Sequence, residues 1–199
     1  MRPQADDYPD FIERAVQAIL NEGVEAGAVV LQPIAYEPRV LPPRPEVTRY
    51  AAGQVFLRDR FHCRYCLGKI IPTPIMELLG SIYPTIFPFD PYWSAGRTHP
   101  AILSRSGVVD HITPAAWGGS KEETNLVAAC NPCNSIKADF ALEQLGWEVQ
   151  QVPSSKWDGL TGSYAELWKV AGKPKPRYHR QWMYAFHLEI PSAENESES

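Results

Sequence analysis

Apolar residues recur at helical spacing near the start of the chain. Over residues 8–24 they lie three or four positions apart, which predicts an amphipathic helix that ends near Gly23, with Asp10 as a cap. Residues 28–50 instead hold a short apolar run and five prolines. Because proline removes a backbone donor and blocks helix, this pattern predicts an edge strand followed by an extended linker. Residues 1–47 are therefore interpreted as a helix and a proline-rich arm.

A strand, a loop and a helix are predicted within residues 109–137. An apolar run leads into Asp110 and His111, and the proline and paired glycines that follow predict a loop. Asn131 is followed by proline, and this pair predicts a helix start, since asparagine caps helices well and proline suits the first helical position. A hairpin that leads into this helix would bring Asp110 close to Asn134.

The four cysteines form two Cys-x-x-Cys pairs that are far apart in the sequence. The pairs are Cys63 with Cys66 and Cys130 with Cys133. Such spacing is typical of a structural zinc site with four thiolate ligands. A redox pair and two pairs of inert thiols are the alternatives, but neither pair lies in a βαβ pattern, and equal spacing at both ends of one motif argues against inert thiols. We predict structural Zn²⁺.

Three other segments carry composition signals. An insertion over about residues 70–107 is rich in proline and aromatic residues, and it is interpreted as a packed lid, with a nucleic-acid or partner surface as the alternative. Residues 151–188 form a C-terminal extension with interleaved basic and aromatic residues. Residues 189–199 are acidic and are expected to be disordered.

The charge of the chain bounds its partners. There are 23 acidic and 19 basic residues, for a net charge of −4, which argues against a protein that coats nucleic acid nonspecifically. A local basic face is still compatible with this balance. Its candidate members could equally be solvated surface residues: Arg58, Arg60, Lys137, Lys173, Lys175 and Arg177.

The sequence gives no sign of a membrane location. It contains no apolar run of about eighteen residues, the length that would span a bilayer. Its first residues lack the basic head and apolar stretch of a signal peptide. We therefore expect an intracellular, cytoplasmic protein.

Two stretches together resemble the HNH endonucleases. They are the entry to the first cysteine pair, "RDRFHCRYCLGK", and the later run "VVDHITPAAWGGSKEETNLVAACNPCNSIK". The resemblance covers roughly residues 56–149 and implies an α+β fold with a small ββα-metal core and a four-cysteine zinc site. On this basis we expect a nuclease domain over residues 48–150 that includes the insertion.

The resemblance also implies roles for four polar residues. His111 takes the position of the general base, and Asp110 and Asn134 take those of ligands to a catalytic metal ion. Asn125 takes the position of the residue that steadies the loop and orients the histidine. Oxygen ligands suit a hard cation, so Mg²⁺ or Mn²⁺ is expected. The final motif position holds asparagine rather than histidine, which leaves the metal preference open.

The expected function is metal-dependent hydrolysis of DNA phosphodiesters, with 5′-phosphate and 3′-hydroxyl products; RNA is not excluded as a substrate. One alternative is a zinc-stabilised nucleic-acid-binding module that does not cleave. Another is a nuclease that is silent until a protein partner docks on the insertion or the arms. A homodimer through the same segments would place two sites on one duplex.

Overall fold

A small sheet at the centre of the chain carries the polar motif. The computed structural model describes residues 8–35 and 46–190. Three strands pair in the order β1-β2-β3, with β1 parallel to β2 and β2 antiparallel to β3. The strands are β1 (Ile71–Pro72), β2 (Ser106–His111) and β3 (Leu126–Cys130).

The described residues also form helices. They are α1 (Tyr8–Glu22), α2 (Val24–Leu31), α3 (Arg49–Arg58), α4 (Thr73–Ile82), α5 (Pro100–Arg105), α6 (Asn131–Lys137), α7 (Tyr164–Val170) and α8 (Pro176–Ala185). Of these, α3, α4, α5 and α6 contact the sheet. The α+β class predicted from the sequence is thereby confirmed. None of the helices described is long and apolar enough to cross a membrane.

The predicted strand, loop and helix form the hairpin β2-β3 and the helix α6. Asp110 is paired with Val127 in this hairpin, and His111 is paired with Leu126. All five residues of β3 are buried, so this strand of the hairpin lies within the core. Helix α6 begins at Asn131, directly after β3, with proline in its first turn as predicted.

The N-terminal segment differs from the prediction. Helix α1 ends at Glu22, and Gly23 joins it to α2 with a φ of 99°. The edge strand predicted after residue 28 is wrong, because residues 28–31 belong to α2. The apolar run packs against α1 instead: a Cβ at Gly27 would lie 2.3 Å from Ile19 Cγ1. Asp10 lies inside the first turn of α1, and residues 36–45, within the segment predicted to be an extended linker, lie outside the described residues.

The insertion and the C-terminal extension both belong to the core. The insertion supplies β1 and α4, whose Ile75 and Leu78 are buried. The extension supplies α7 and α8, and its Trp168 and Met183 lie in the same buried cluster. Helices α3 and α8 approach closely at Gly53, where a Cβ would lie 2.6 Å from that of Ala185. These segments therefore form more of the core than a lid and a surface arm would.

Candidate active site and metal centre

The four cysteines converge on one point. Their sulfur atoms all lie within 4.8 Å of one another, and Cys66 Sγ is 3.9 Å from Cys130 Sγ. Four sulfurs at about 2.3 Å from a tetrahedral ion would be separated by about 3.8 Å. Cys63 and Cys66 lie on a tight turn in which the Cys63 N–H donates to Gly68 O at 2.9 Å. Cys130 ends β3, and Cys133 lies in the first turn of α6.

The electrostatics of this cluster favour a cation. A hydrogen bond with Cys130 and burial raise the pKa of Cys63 to about 12. Burial is the main cause that raises the pKa of Cys133 to about 12. Four thiolates at this spacing would repel one another, and a divalent ion offsets that repulsion. The geometry and the donor set therefore fit a structural metal ion such as zinc.

A buried carboxylate ties the cluster to the sheet. Asp59 is fully buried and accepts hydrogen bonds from Arg58 Nε at 2.9 Å and from Arg64 Nη1 at 2.7 Å. It also accepts from the backbone N–H of Ala128 in β3, at 2.8 Å. The end of α3, the first cysteine turn and β3 thus meet at one side chain. Sequence reasoning missed this residue, although a single acid between two arginines was a visible signal.

Asp110 and His111 lie at the end of β2. The Asp110 carboxylate is buried and accepts from the His111 N–H through Oδ1 at 2.8 Å. Its other oxygen, Oδ2, accepts from the Tyr65 hydroxyl at 2.7 Å. Burial, and next the charge of Asp110, raise the pKa of Tyr65, so the phenol stays protonated as a donor. His111 is half-buried and directly follows this fixed carboxylate.

Helix α6 faces this strand end with a lysine. Lys137 is fully buried, and its Nζ donates to His111 O at 2.7 Å and lies 3.3 Å from Asp110 Oδ2. This burial contradicts the expectation that Lys137 contacts nucleic acid. Asn134 lies one helical turn earlier, and residues three apart share a helix face. Asn134 is therefore on the face of α6 that carries Lys137 to the end of β2.

The loop between β2 and β3 is fastened by Asn125. Its Oδ1 accepts from the Thr113 N–H at 2.8 Å, and its Nδ2 donates to Thr113 O at 3.2 Å and to Ser120 O at 2.8 Å. A Cβ at Gly119 would lie 1.8 Å from Thr113 O, so only glycine fits there. Thr113 is two residues after His111, and Ser120 lies farther along the same loop. Asn125 therefore holds the loop at two points.

This geometry agrees with a comparison of the chain with known families. Residues 104–149 match the sequence model of the HNH endonuclease family. This range is similar to the HNH endonuclease domain. The resemblance inferred from the sequence is thus confirmed over this range, and it supports a nuclease with a nucleic-acid substrate. The match begins after the first cysteine pair, so Cys63 and Cys66 join the domain through the geometry of the cluster. Neither the curated proteins nor the solved structures contain a significant match to this chain.

Asp110 and Asn134 are the residues that would hold a second ion in this region. A carboxylate offers about four lone-pair positions, and the three contacts described above leave one of them on Oδ1. Asn134 on α6 offers a neutral amide oxygen. Among the described residues, only the cysteine cluster brings together three or more His, Cys, Asp or Glu ligands. An ion at Asp110 would therefore keep several waters, as Mg²⁺ usually does.

Arg58 holds the HNH loop, the segment 112–125 between β2 and β3. Its guanidinium pairs with Asp59 and donates to Glu123 O at 2.8 Å and to Leu126 O at 2.6 Å. Hydrogen bonding with Asp59 is the main cause that raises its pKa. These contacts occupy the side chain that the sequence had offered as a possible nucleic-acid contact, although a third of it stays exposed.

The other predicted contact residues lie at the surface. Arg60 follows α3 and is exposed. Lys173, Lys175 and Arg177 are exposed around the start of α8, where Lys175 forms an ion pair with Glu77. The described hydrogen bonds do not join any of the four to the HNH loop.

A cleft lies between the start of α3 and the exposed face of α8. Its volume is about 1080 Å³, and its lining includes Arg49, Arg177 and Arg180 but a single acid, Glu46. Arg49 donates to Gln181 Oε1 at 2.8 Å, which sets its direction within the cleft. The cleft is therefore locally basic in a chain whose net charge is −4.

Proposed function

We propose that this protein is a metal-dependent endonuclease that hydrolyses DNA phosphodiester bonds and leaves 5′-phosphate and 3′-hydroxyl ends. One observation carries the proposal. Asp110 and His111 end a strand against the face of α6 that bears Asn134, within the range that matches the HNH endonucleases. An acid, a base and an amide oxygen at one edge are the groups that phosphodiester hydrolysis requires.

The residues divide the chemistry between them. The imidazole of His111 accepts a proton from water, whose oxygen forms a bond to phosphorus while the bond from phosphorus to the 3′ oxygen breaks. That oxygen leaves with a proton from solvent. Asn125 holds the loop that follows His111 and keeps the ring in place. Asp110 and Asn134 would hold Mg²⁺ or Mn²⁺, which neutralises charge on the phosphate.

We assign a separate, structural role to the cysteine cluster, with Zn²⁺ as its ion. All four ligands are protein sulfurs, so no open position remains for a substrate. Zinc there joins the first cysteine turn to α6, and α6 faces Asp110. The ion thus acts on the fold of the site and not on the phosphate.

The proposed substrate needs a basic path across the protein. Arg60 and the exposed side chains of Lys173, Lys175 and Arg177 are candidate phosphate contacts. The cleft that Arg49 and Arg177 line supports this assignment, because guanidinium groups bind phosphate oxygens in pairs of hydrogen bonds.

The proposal is tested by incubating supercoiled, linear and single-stranded DNA, and RNA, with the protein and Mg²⁺ or Mn²⁺. The wild-type chain should cut DNA, and His111→Ala should lose about 100-fold or more in rate, as expected for loss of a general base. His187→Ala is the matched control, because His187 is exposed and its ring is hydrogen-bonded to Gln54, far from Asp110 in the sequence. Equal cutting by wild type and His111→Ala would refute the base assignment. Binding of DNA without cutting under any ion would instead identify a non-cleaving module.

A further inference from the structure

Two donors from different segments meet on one oxygen of Asp110. The Tyr65 hydroxyl lies 2.7 Å from Oδ2, and Lys137 Nζ lies 3.3 Å from the same atom. The His111 N–H takes up one position on Oδ1. The carboxylate is therefore held at both oxygens, and these three contacts from the described residues leave one lone pair of Oδ1 for an ion.

Both donors are themselves held in place. The Tyr65 ring packs against Trp147, with centroids 5.4 Å apart. The Lys137 side chain has no exposed surface, and its second contact is His111 O at 2.7 Å. Burying an ammonium group is costly unless it is paired and hydrogen-bonded, so a lysine in this position signals a specific need for its charge. The carboxylate of Asp110 is the group that pairs with this charge.

Both donors also come from segments that carry cysteines of the cluster. Tyr65 lies between the ligands Cys63 and Cys66, and Lys137 lies one turn after Cys133 in the same helix. The cysteine cluster joins both segments, so the direction of each donor depends on the geometry of that cluster.

We propose that Tyr65 and Lys137 are positioning residues that hold the Asp110 carboxylate with Oδ1 ready for the catalytic ion. The inference rests on the proposed function, in which Asp110 is a ligand of that ion. Groups that orient a metal ligand through its second oxygen typically change metal affinity or activity by roughly 10-fold to 100-fold when they are removed. Tyr65→Phe removes one hydroxyl and leaves the ring against Trp147, so it isolates this effect.

The experiment measures Mn²⁺ binding by calorimetry on the full chain without DNA, with the cysteine metal retained. Tyr65→Phe should bind Mn²⁺ roughly 10-fold more weakly than wild type. The matched control is Tyr164→Phe, which also removes a buried hydroxyl, one that lies 2.7 Å from His179 Nδ1. The control should lower the melting temperature but leave Mn²⁺ affinity within about twofold, because Tyr164 has no part in holding Asp110.

The outcomes separate this inference from the function on which it rests. If Asp110→Ala binds Mn²⁺ as well as wild type does, the metal assignment in the proposed function fails, and the inference fails with it. If Asp110→Ala abolishes binding but Tyr65→Phe matches wild type, only the inference is overturned. Equal weakening in Tyr65→Phe and Tyr164→Phe would also overturn it, because a general loss of stability would then explain both.

Lys137 is tested through its coupling to Tyr65. Lys137→Met keeps the length of the side chain and removes the charge, and cleavage rates are compared for each single variant and for the double variant. Because both residues act on the same oxygen, the losses should not add. Additive losses would show that the two residues act independently and would overturn their shared role. Where Lys137→Met does not fold, the Mn²⁺ measurement on Tyr65→Phe still decides the inference.

Discussion

Asn125 offers the sharpest test of how the loop between β2 and β3 supports the proposed catalysis. Asn125→Ala removes three hydrogen bonds, two to the backbone of Thr113 and one to Ser120 O. Each is worth about 1 kcal/mol net, and partial exposure of the side chain reduces the sum to roughly 2 kcal/mol. Because Thr113 lies two residues after His111, we expect the loss of these hydrogen bonds mainly to impair the placement of the His111 imidazole. A loss of about 2 kcal/mol in the transition state corresponds to about a 30-fold lower rate.

Two measurements on Asn125→Ala separate loop order from catalysis. Initial rates of plasmid cleavage at saturating metal give the rate, and hydrogen exchange reports protection of the Thr113 amide. The matched control is Gln54→Ala, which also removes amide hydrogen bonds: to Ala185 O at 2.9 Å and to His187 Nε2 at 3.1 Å. The control should lose a similar amount of stability and keep the wild-type rate, since Gln54 joins α3 to the end of α8, away from the loop.

Either of two results would refute the proposed role of Asn125 in placing His111. If the Thr113 amide exchanges fast in Asn125→Ala but the cleavage rate matches wild type, the loop does not place His111. If the amide stays protected, the three hydrogen bonds are not what holds the loop. A rate loss shared by Asn125→Ala and Gln54→Ala would point to stability alone.

Two further predictions concern the metal centre and a buried histidine. Metal analysis should find about one zinc ion per chain, and Cys63→Ser should lower the unfolding free energy sharply, whereas a metal-free and equally stable variant would exclude the site. Burial lowers the pKa of His179 to about 4, so the unfolded chain binds a proton that the folded chain does not, and stability should fall by about 3 kcal/mol as pH drops from about 6.5 to 4. Urea unfolding of His179→Gln should lack this part of the pH dependence, and an unchanged slope would contradict the assignment.

The predictable part of this protein is the part whose signals are local. The Cys-x-x-Cys spacing alone predicted that Cys63 and Cys66 join the second cysteine pair in one site, and the structure brings the four sulfurs together. Asn131 and the proline after it gave the start of α6 because helix starts depend on a few adjacent residues.

What the sequence could not give depends on contacts between distant segments. Residues 28–31 look like a strand because they are apolar and β-branched, but packing against α1 makes them helical. Lys137 looks like any lysine on a short helix, and only the pairing of β2 with β3 and the placement of α6 reveal that Asp110 lies within its reach. Tyr65 was hidden for the same reason, since its partner is 45 positions away.

One packing arrangement holds both the cysteine cluster and the end of β2 that carries Asp110 and His111. The hairpin β2-β3 with α6 is too small to bury a core of its own, and in this chain α3, α4 and α7 supply the missing apolar surface. Asp59 then fixes β3 to the first cysteine turn, and the turn presents Tyr65 to Asp110. A substitution that loosens the cysteine cluster should therefore weaken the proposed catalytic site before the chain unfolds, because the donors that hold Asp110 come from the segments that the cluster joins. Partial loss of the cysteine metal should accordingly reduce Mn²⁺ affinity at conditions where far-ultraviolet circular dichroism still reports a folded chain.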